Sequence, residues 1–529
     1  MTPRDQDPDV LTYCEFGSLT LRRHLKALRS EVAGVSVGAD SEAVHRMRVA
    51  SRRLRASLLL FPECLPGPAY DRWRSEIRAI TKSLGEARDL DVQIEFIDRY
   101  LPDIGSGPGN TAGIVLLRKQ ISRRRKKAQA SVRKALSTLR SDKTVEGIRQ
   151  ALRRYPVGRE KKEGPRYSPV LYERAFDIVV KRLLRVLSYE AAVLCHDCIS
   201  EHHALRIDVK RLRYTLEAFA PLYPDGLKDR IGALREIQDL LGEMHDCDVW
   251  IAMLPPFLDS TAAGPDHLVP SGEDLTGKIL LDRQERREAC YREFRDAWDR
   301  EKRHDSWSVL ISSLATGGAI SELDPLPEGA QIGIVGDLKG NPAILRAILS
   351  DCRHEGIGAL VISGDLIGRG QKSGELIRLC RDEKIPVAPG SGDRKVIRKA
   401  FPAIPGSRPG KKSKRRRDVP YIPDTDGISF LCGLPSGFAF SVGNKRIWID
   451  PAVSLGREPQ GQGAMTEALM TAFPADVIVI GGPEFSLSEG GRLVVSPGPA
   501  RDTAGTARYT VIRPDSLEVI RKEVAPGSK

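Results

Sequence analysis

The feature that most constrains this chain is a run of cations with no counter-charge, Val44-His45-Arg46-Met47-Arg48-Val49-Ala50-Ser51-Arg52-Arg53-Leu54-Arg55. An α-helix turns about 100° per residue. Wound that way, His45, Arg48, Arg52 and Arg55 share one arc, and Met47, Ala50, Leu54, Leu58 and Phe61 share the opposite one. One face therefore suits a core and the other does not. No carboxylate lies between Val44 and Pro62. A row of guanidiniums repels itself, so such a face makes sense when a polyanion fills it.

The run occurs twice. His203, Arg206, Lys210, Arg211 and Arg213 repeat His45, Arg48, Arg52, Arg53 and Arg55, and Leu212, Leu216 and Phe219 repeat the apolar face. Downstream, Leu84-Gly85-Glu86-Ala87-Arg88-Asp89-Leu90-Asp91-Val92 returns as Leu241-Gly242-Glu243-Met244-His245-Asp246-Cys247-Asp248-Val249, and Arg78 returns as Arg235. Self-similarity at a long offset marks a duplicated structural unit. The four aspartates are placed to brace arginines.

These residues resemble the CHAD family of α-helical domains with conserved histidines. The resemblance rests on His-x-x-Arg-x-x-x-Arg-Arg-x-Arg followed by Leu-Gly-x-x-Arg-Asp-x-Asp-Val, in both halves. It implies an all-α domain over residues 1–320, with halves at about 15–150 and 170–303. It further implies a basic channel that binds inorganic polyphosphate. Carried over, the binding residues are His45, Arg48, Arg52, Arg53, Arg55, Arg78, Arg88, His203, Arg206, Lys210, Arg211, Arg213, Arg235 and His245. His245 stands where the family has an arginine, which implies weaker or more pH-dependent binding in that half.

Size and charge agree with this. A chain of 529 residues is too long for one core. A net charge of +13 favours anionic partners. The run Arg118 to Lys134 carries nine basic residues and no acidic one, and reads as an extension of the anion surface. Nine scattered cysteines argue against a disulfide framework and for a reducing compartment. Cys195-His196-Asp197-Cys198, with His202 and His203 behind it, has a zinc-like look. Structural zinc cysteines sit on turns, however, and no second pair is in register. No apolar stretch is long enough to span a membrane. A cytoplasmic location, in association with polyphosphate granules, is the expectation.

After Gly317 to Gly329 short apolar runs alternate with helical segments, an α/β layout. A basic segment, residues 406–418, reads as a flexible loop. Asp337, Asp365 and Asp393 each follow a strand, where α/β ligand sites form. Their order and spacing resemble calcineurin-like metallophosphoesterases, which implies an α/β sandwich over residues 327–529. The departures are severe. Lys339 and Ser391 replace a histidine and an asparagine, the later histidine motifs have become Asp450-Pro451 and Gly481-Gly482-Pro483-Glu484, and His354 is the one histidine there. A two-metal centre needs several imidazoles.

The expected function is polyphosphate binding with a catalytically inactive appendage and no cofactor. One alternative is a metal-dependent phosphoesterase or polyphosphatase, with Mg²⁺ or Mn²⁺ on Asp337, Asp365, Asp393, Asp450 and Glu484. The other is a nucleic-acid binder. Aromatics at 6%, rarely interleaved with the basic runs, argue against base stacking.

Overall fold

The computed structural model describes residues 10–37, 41–100, 112–141, 144–155, 166–224, 226–262, 275–368, 372–400, 424–454, 459–501 and 505–525. The expected loop 406–418 lies outside them.

The first half begins with a short strand, β1 (Val10–Leu11), and α1 (Tyr13–Ser30), α2 (Val32–Val37), α3 (Ser41–Leu60), α4 (Gly67–Tyr100), α5 (Ala112–Ser141) and α6 (Thr144–Leu152). Thr12 starts α1 through a capping box with Glu15. A second strand, β2 (Arg166–Tyr167), pairs with β1 and leads into the second half. That half contains α7 (Pro169–Leu187), α8 (Glu190–Val193), α9 (Ile199–Phe219), α10 (Lys228–Ala262), α11 (Leu275–Arg303) and α12 (Ser306–Leu314). Pro169 occupies the first turn of α7, where its missing N–H costs nothing.

The packing repeats with the sequence. The chain of neighbours α1–α3–α4–α5 is matched by α7–α9–α10–α11, and α3 packs on α9. The repeated phenylalanines meet there: Phe61 and Phe219 lie edge to face at 5.9 Å, and Phe16 stacks on Phe219 at 6.0 Å. The apolar arcs read from sequence are the core, with Met47, Leu54, Leu58, Leu212 and Leu216 fully buried. No helix among the described residues is long and apolar enough to cross a membrane.

The rest is α/β. The strands are β3 (Ile320–Glu322), β4 (Ile332–Val335), β5 (Ala359–Gly364), β6 (Val387–Pro389), β7 (Gly437–Val442), β8 (Lys445–Ser454), β9 (Val477–Gly481), β10 (Phe485–Glu489), β11 (Arg492–Ser496), β12 (Ala507–Arg513) and β13 (Glu518–Val524). They form, among the described residues, two mixed sheets ordered β10-β11-β9-β8-β7-β3 and β13-β12-β4-β5-β6. Ile332, Ile334, Val361, Phe438, Phe440, Ile447, Ile449 and Val479 fill the space between them. Helices α13 (Pro342–His354), α14 (Ser373–Asp382), α15 (Ser391–Ala400) and α16 (Thr425–Cys432) cover the outer face of the five-stranded sheet. The other sheet's outer face continues into the helical core: α17 (Pro459–Ala472) packs on α7, and Trp448 stacks on Phe176 at 6.3 Å.

One expectation is corrected. Cys14 is bonded to Cys64, and Cys195 to Cys198. The first pair is separated by 50 residues and closed by the α1–α3 packing, which spacing alone does not reveal. The second holds its sulfurs against each other, so they are not free for zinc.

Candidate functional site

The seam between α3 and α9 gathers the cations. Lys210 on α9 is half-buried among Arg52, Arg206, Arg55 and Arg48, and burial together with those four guanidiniums pushes its pKa down to about 7. Burial also lowers Arg48, Arg55 and Arg206 from the usual arginine range. Arg55 faces Arg52, Arg78, Arg211 and Arg74. Few carboxylates oppose them. Arg48 Nη2 donates to Asp89 Oδ1 at 2.9 Å, Arg211 Nη1 to Asp208 Oδ1 at 2.8 Å, and Asp246 lies near Arg206 and Arg48. Burial holds Asp246 above the ordinary carboxylate range, so it offsets the cations only in part. Arg206 Nε is buried with no hydrogen-bond partner among the described residues. An unanswered guanidinium N–H at the centre of a cationic seam is a donor waiting for an oxygen.

At one end of the seam His203 Nδ1 lies 3.2 Å from His245 Nδ1. One ring must donate and the other accept, so at least one is neutral. Burial, then Arg206 and His203, push His245 down to about 4. Burial lowers His203 as well, helped by Arg206 and Lys210. Arg88, the residue His245 replaces in the repeat, reaches Glu95 at 2.8 Å.

The remaining expected residues divide. His45, Arg53 and Arg235 line a separate groove of about 740 Å³ between α1, α3, α9 and α10, shared with His24, Arg23 and Tyr214. Arg53 lies 3.7 Å from Glu217 there. Arg213 belongs to neither place. It is buried, bonds Glu217 at 2.6 Å and Gln238 at 3.1 Å, and lies over the Tyr214 ring. Glu217, one turn on, pairs its charge.

Sequence reasoning missed several residues. Arg125 Nε bonds Asp91 and Arg287 Nε bonds Asp248, each at 2.6 Å, so the second aspartate of each motif braces an arginine on the next long helix. The sequence places Arg125 within the basic run Arg118 to Lys134. Of that run, Lys119, Arg123, Arg124, Lys126, Lys127, Arg133 and Lys134 are the exposed members. His24 contacts Ser57 Oγ at 2.9 Å, and Arg182 donates to Thr215 Oγ1. These pairs fall at the same offset as His45 and His203, so extending the repeat outward would have found them. Burial pushes His24 to about 4 and Arg182 to about 10.

In the α/β part, the five carboxylates proposed as an alternative metal set do not gather. Asp337 Oδ1 accepts from the Asp365 N–H at 2.8 Å, and Lys339 Nζ sits 3.3 Å from its other oxygen. Asp365 Oδ1 accepts from the Gly392 N–H at 2.6 Å, an approach that a Cβ at residue 392 would block. Asp393 takes three backbone N–H groups, from Leu366, Ile367 and Gly390, and burial pushes it up to about 7. Asp450 is fully buried beside Asp177 and Arg394, and Glu484 pairs with Arg521 at 3.0 Å. Among the described residues no group of three or more His, Cys, Asp or Glu side chains is placed to hold a metal ion. These carboxylates already have partners, and the set does not fit a metal centre.

Residues 19–255 match the family model of the CHAD domain, so the helical region carries a CHAD domain. Among solved structures, the CHAD domain from the plant Ricinus communis is 25% identical, with 55% of this chain and 92% of that chain covered and a TM-score of 0.40. PptA from Streptomyces chartreusis is 17% identical over 54% of this chain and 99% of its own, with a TM-score of 0.41. A metallophosphoesterase from Sphaerobacter thermophilus is 17% identical over 37% of this chain and 89% of its own, with a TM-score of 0.26. No curated protein matches.

Proposed function

We propose that this chain binds inorganic polyphosphate along the α3–α9 seam. The observation that carries the reading is Lys210, pressed to about 7 among four arginines, with the unpartnered Arg206 Nε beside it. The seam is short of negative charge, and a flexible chain of phosphates supplies that charge one unit at a time. Arg48, Arg52, Arg55, Arg206 and Lys210 are its first partners. Arg78, Arg88 and Arg211 extend the seam, His203 and His245 close one end, and His45, Arg53 and Arg235 offer a neighbouring groove. Arginine forks match phosphate oxygens, and repeated contacts along one polymer add avidity.

The reading continues into the α/β part. Its strand-end aspartates, with Gly-rich loops around them, make it a metallophosphoesterase-like frame. Lys339 on Asp337, three N–H groups on Asp393 and Arg394 beside Asp450 leave that frame without a metal set, so it serves the protein as a non-catalytic appendage.

Calorimetry of the full chain with polyphosphate of defined length tests the first claim, with Arg48→Ala/Arg206→Ala as the control and duplex DNA as the competitor. Saturable polyphosphate binding that DNA does not displace and the double variant loses is the expected result. Equal binding by the variant would place the site elsewhere.

A further inference from the structure

Cys195 and Cys198 bracket a two-residue turn immediately ahead of α9, and their sulfurs are bonded. They differ from the other bonded pair. Cys14 and Cys64 are buried and join segments 50 residues apart, whereas Cys195 and Cys198 are half-buried and only three apart. A bond closing so short a ring removes little chain entropy from the unfolded state, so the fold depends on it little. The turn is also held without it. Arg287 Nη2 donates to the His196 carbonyl at 3.1 Å while its Nε is anchored on Asp248. On either side of the pair, Leu194 and Ile199 are 57% and 47% exposed, two aliphatic side chains in solvent beside a reachable disulfide. Cys198 is the N-cap residue of α9, where backbone N–H groups favour negative charge.

We infer that Cys195–Cys198 is a thiol–disulfide exchange site, and that its partner is a protein carrying a dithiol, seated against Leu194 and Ile199. The partner's thiolate attacks Cys195 Sγ. The Cys195–Cys198 bond breaks, and Cys198 leaves as a thiolate at the start of α9, the better leaving group of the two. The partner's second thiolate then attacks the partner sulfur of the mixed disulfide, and Cys195 departs. The partner ends as a disulfide and this chain as a dithiol, with two electrons transferred. The partner's two thiol protons end on Cys195 and Cys198. Two carboxylates near the turn, Asp197 and Glu288, are each 2.6 Å from the His196 ring.

The test uses the full chain, air-oxidised and folded, titrated with dithiothreitol, quenched with an alkylating agent and read by peptide mass spectrometry. Cys195–Cys198 should open roughly tenfold or more faster than Cys14–Cys64, with the circular dichroism spectrum unchanged, because access and leaving-group character set the rate. In the reduced chain Cys198 should alkylate faster than Cys195 at pH 7. A thioredoxin-type protein lacking its resolving cysteine should be trapped on Cys195, and Leu194→Ser with Ile199→Ser should slow the trapping. Opening of both pairs together, opening only on unfolding, recovery of residues 195 and 198 as thiols after air oxidation, or trapping on Cys198 would each overturn the assignment.

Discussion

Lys210→Met offers the sharpest probe of the cationic seam. The substitution keeps an unbranched side chain of similar length and removes the ammonium. Folding presses the Lys210 pKa from its ordinary 10.5 to about 7, first by burial and then by Arg52, Arg206, Arg55 and Arg48. The depressed group is a base, so its charged form is what the fold penalises. Below pH 7 Lys210 is charged in both states and the folded protein bears the full cost. Between pH 7 and 10.5 the unfolded chain holds a proton that the folded one lacks, so stability rises with pH in that window. At about 1.4 kcal/mol per pKa unit, the cost has a ceiling of about 5 kcal/mol below pH 7 and shrinks to about 1 kcal/mol near pH 10. Lys210→Met should therefore stabilise the ligand-free protein by several kcal/mol at pH 6, and the gain should fade steadily towards pH 10. Denaturant midpoints for both proteins at half-unit pH steps provide the measurement. Polyphosphate should reverse the shift, so binding at pH 8 should take up close to one proton in the wild type and none in the variant. Calorimetry in two buffers of different ionisation enthalpy reads that number. A stabilisation that is absent, or equal at pH 6 and pH 10, would refute the reasoning, because it would mean that neither burial nor the four arginines act on Lys210.

Three further outcomes are expected. Arg48→Ala with Arg206→Ala removes two charge-assisted contacts, each worth ~1.5–3 kcal/mol, so polyphosphate affinity should fall by roughly a hundredfold or more and the log–log salt slope should shrink by about 2; an unchanged slope would mean that neither arginine meets phosphate. The full chain should hydrolyse neither p-nitrophenyl phosphate nor its bis-ester with Mg²⁺ or Mn²⁺, and stoichiometric Mn²⁺ binding lost in Asp365→Asn would reverse that reading. Arg394→Ala should destabilise the protein by about 3–5 kcal/mol, the cost of stranding a buried ion pair; a calorimetric trace in which the variant melts like the wild type would show that the cluster contributes nothing.

Much of the helical part was legible because its signal is periodic and stated twice. The apolar arc of residues 44–61 fixed a buried face and the repeat marked the equivalent face of α9, while the meeting of Phe61 with Phe219 came only with the packing. Charge was harder to place than apolarity. A helical wheel puts Arg55 and Arg213 in equivalent positions, but Glu217 captures Arg213 while nothing on the corresponding turn of α3 captures Arg55, where the repeat has Leu59. Which cation faces the seam is thus decided by single acidic residues outside the motif. Arg125 and Arg287 were hidden for a related reason. Each lies among other charges, and only the packing of α4 on α5 and of α10 on α11 shows which one turns inward. The disulfides left no periodic trace at all, since a cross-link depends on where two segments meet.

The α/β part and the helical region share one more connection. Arg394 follows Asp393 directly at the start of α15, and its guanidinium crosses to α7, bonding Asp177 at 2.6 Å and Glu173 at 2.8 Å while donating to the Ser436 carbonyl at 3.1 Å. Arg394 and Asp177 are 5% and 6% exposed, and Asp450 lies close enough to be pushed up to about 6 by burial and by Asp177. Two buried carboxylates and the half-buried Glu173 surround the guanidinium, Lys181 also acts on Asp450, and Asp177 Oδ1 has no hydrogen-bond partner among the described residues. A buried cluster of this kind contributes registry more readily than stability, since its desolvation offsets much of its attraction. The registry fixed here is that of α7 against the strand-end loops. Because α7 also packs on α9 and its Arg182 donates to the Arg211 carbonyl there, the cluster around Arg394 and Asp450 seats the α7–α9 pair against the α/β part.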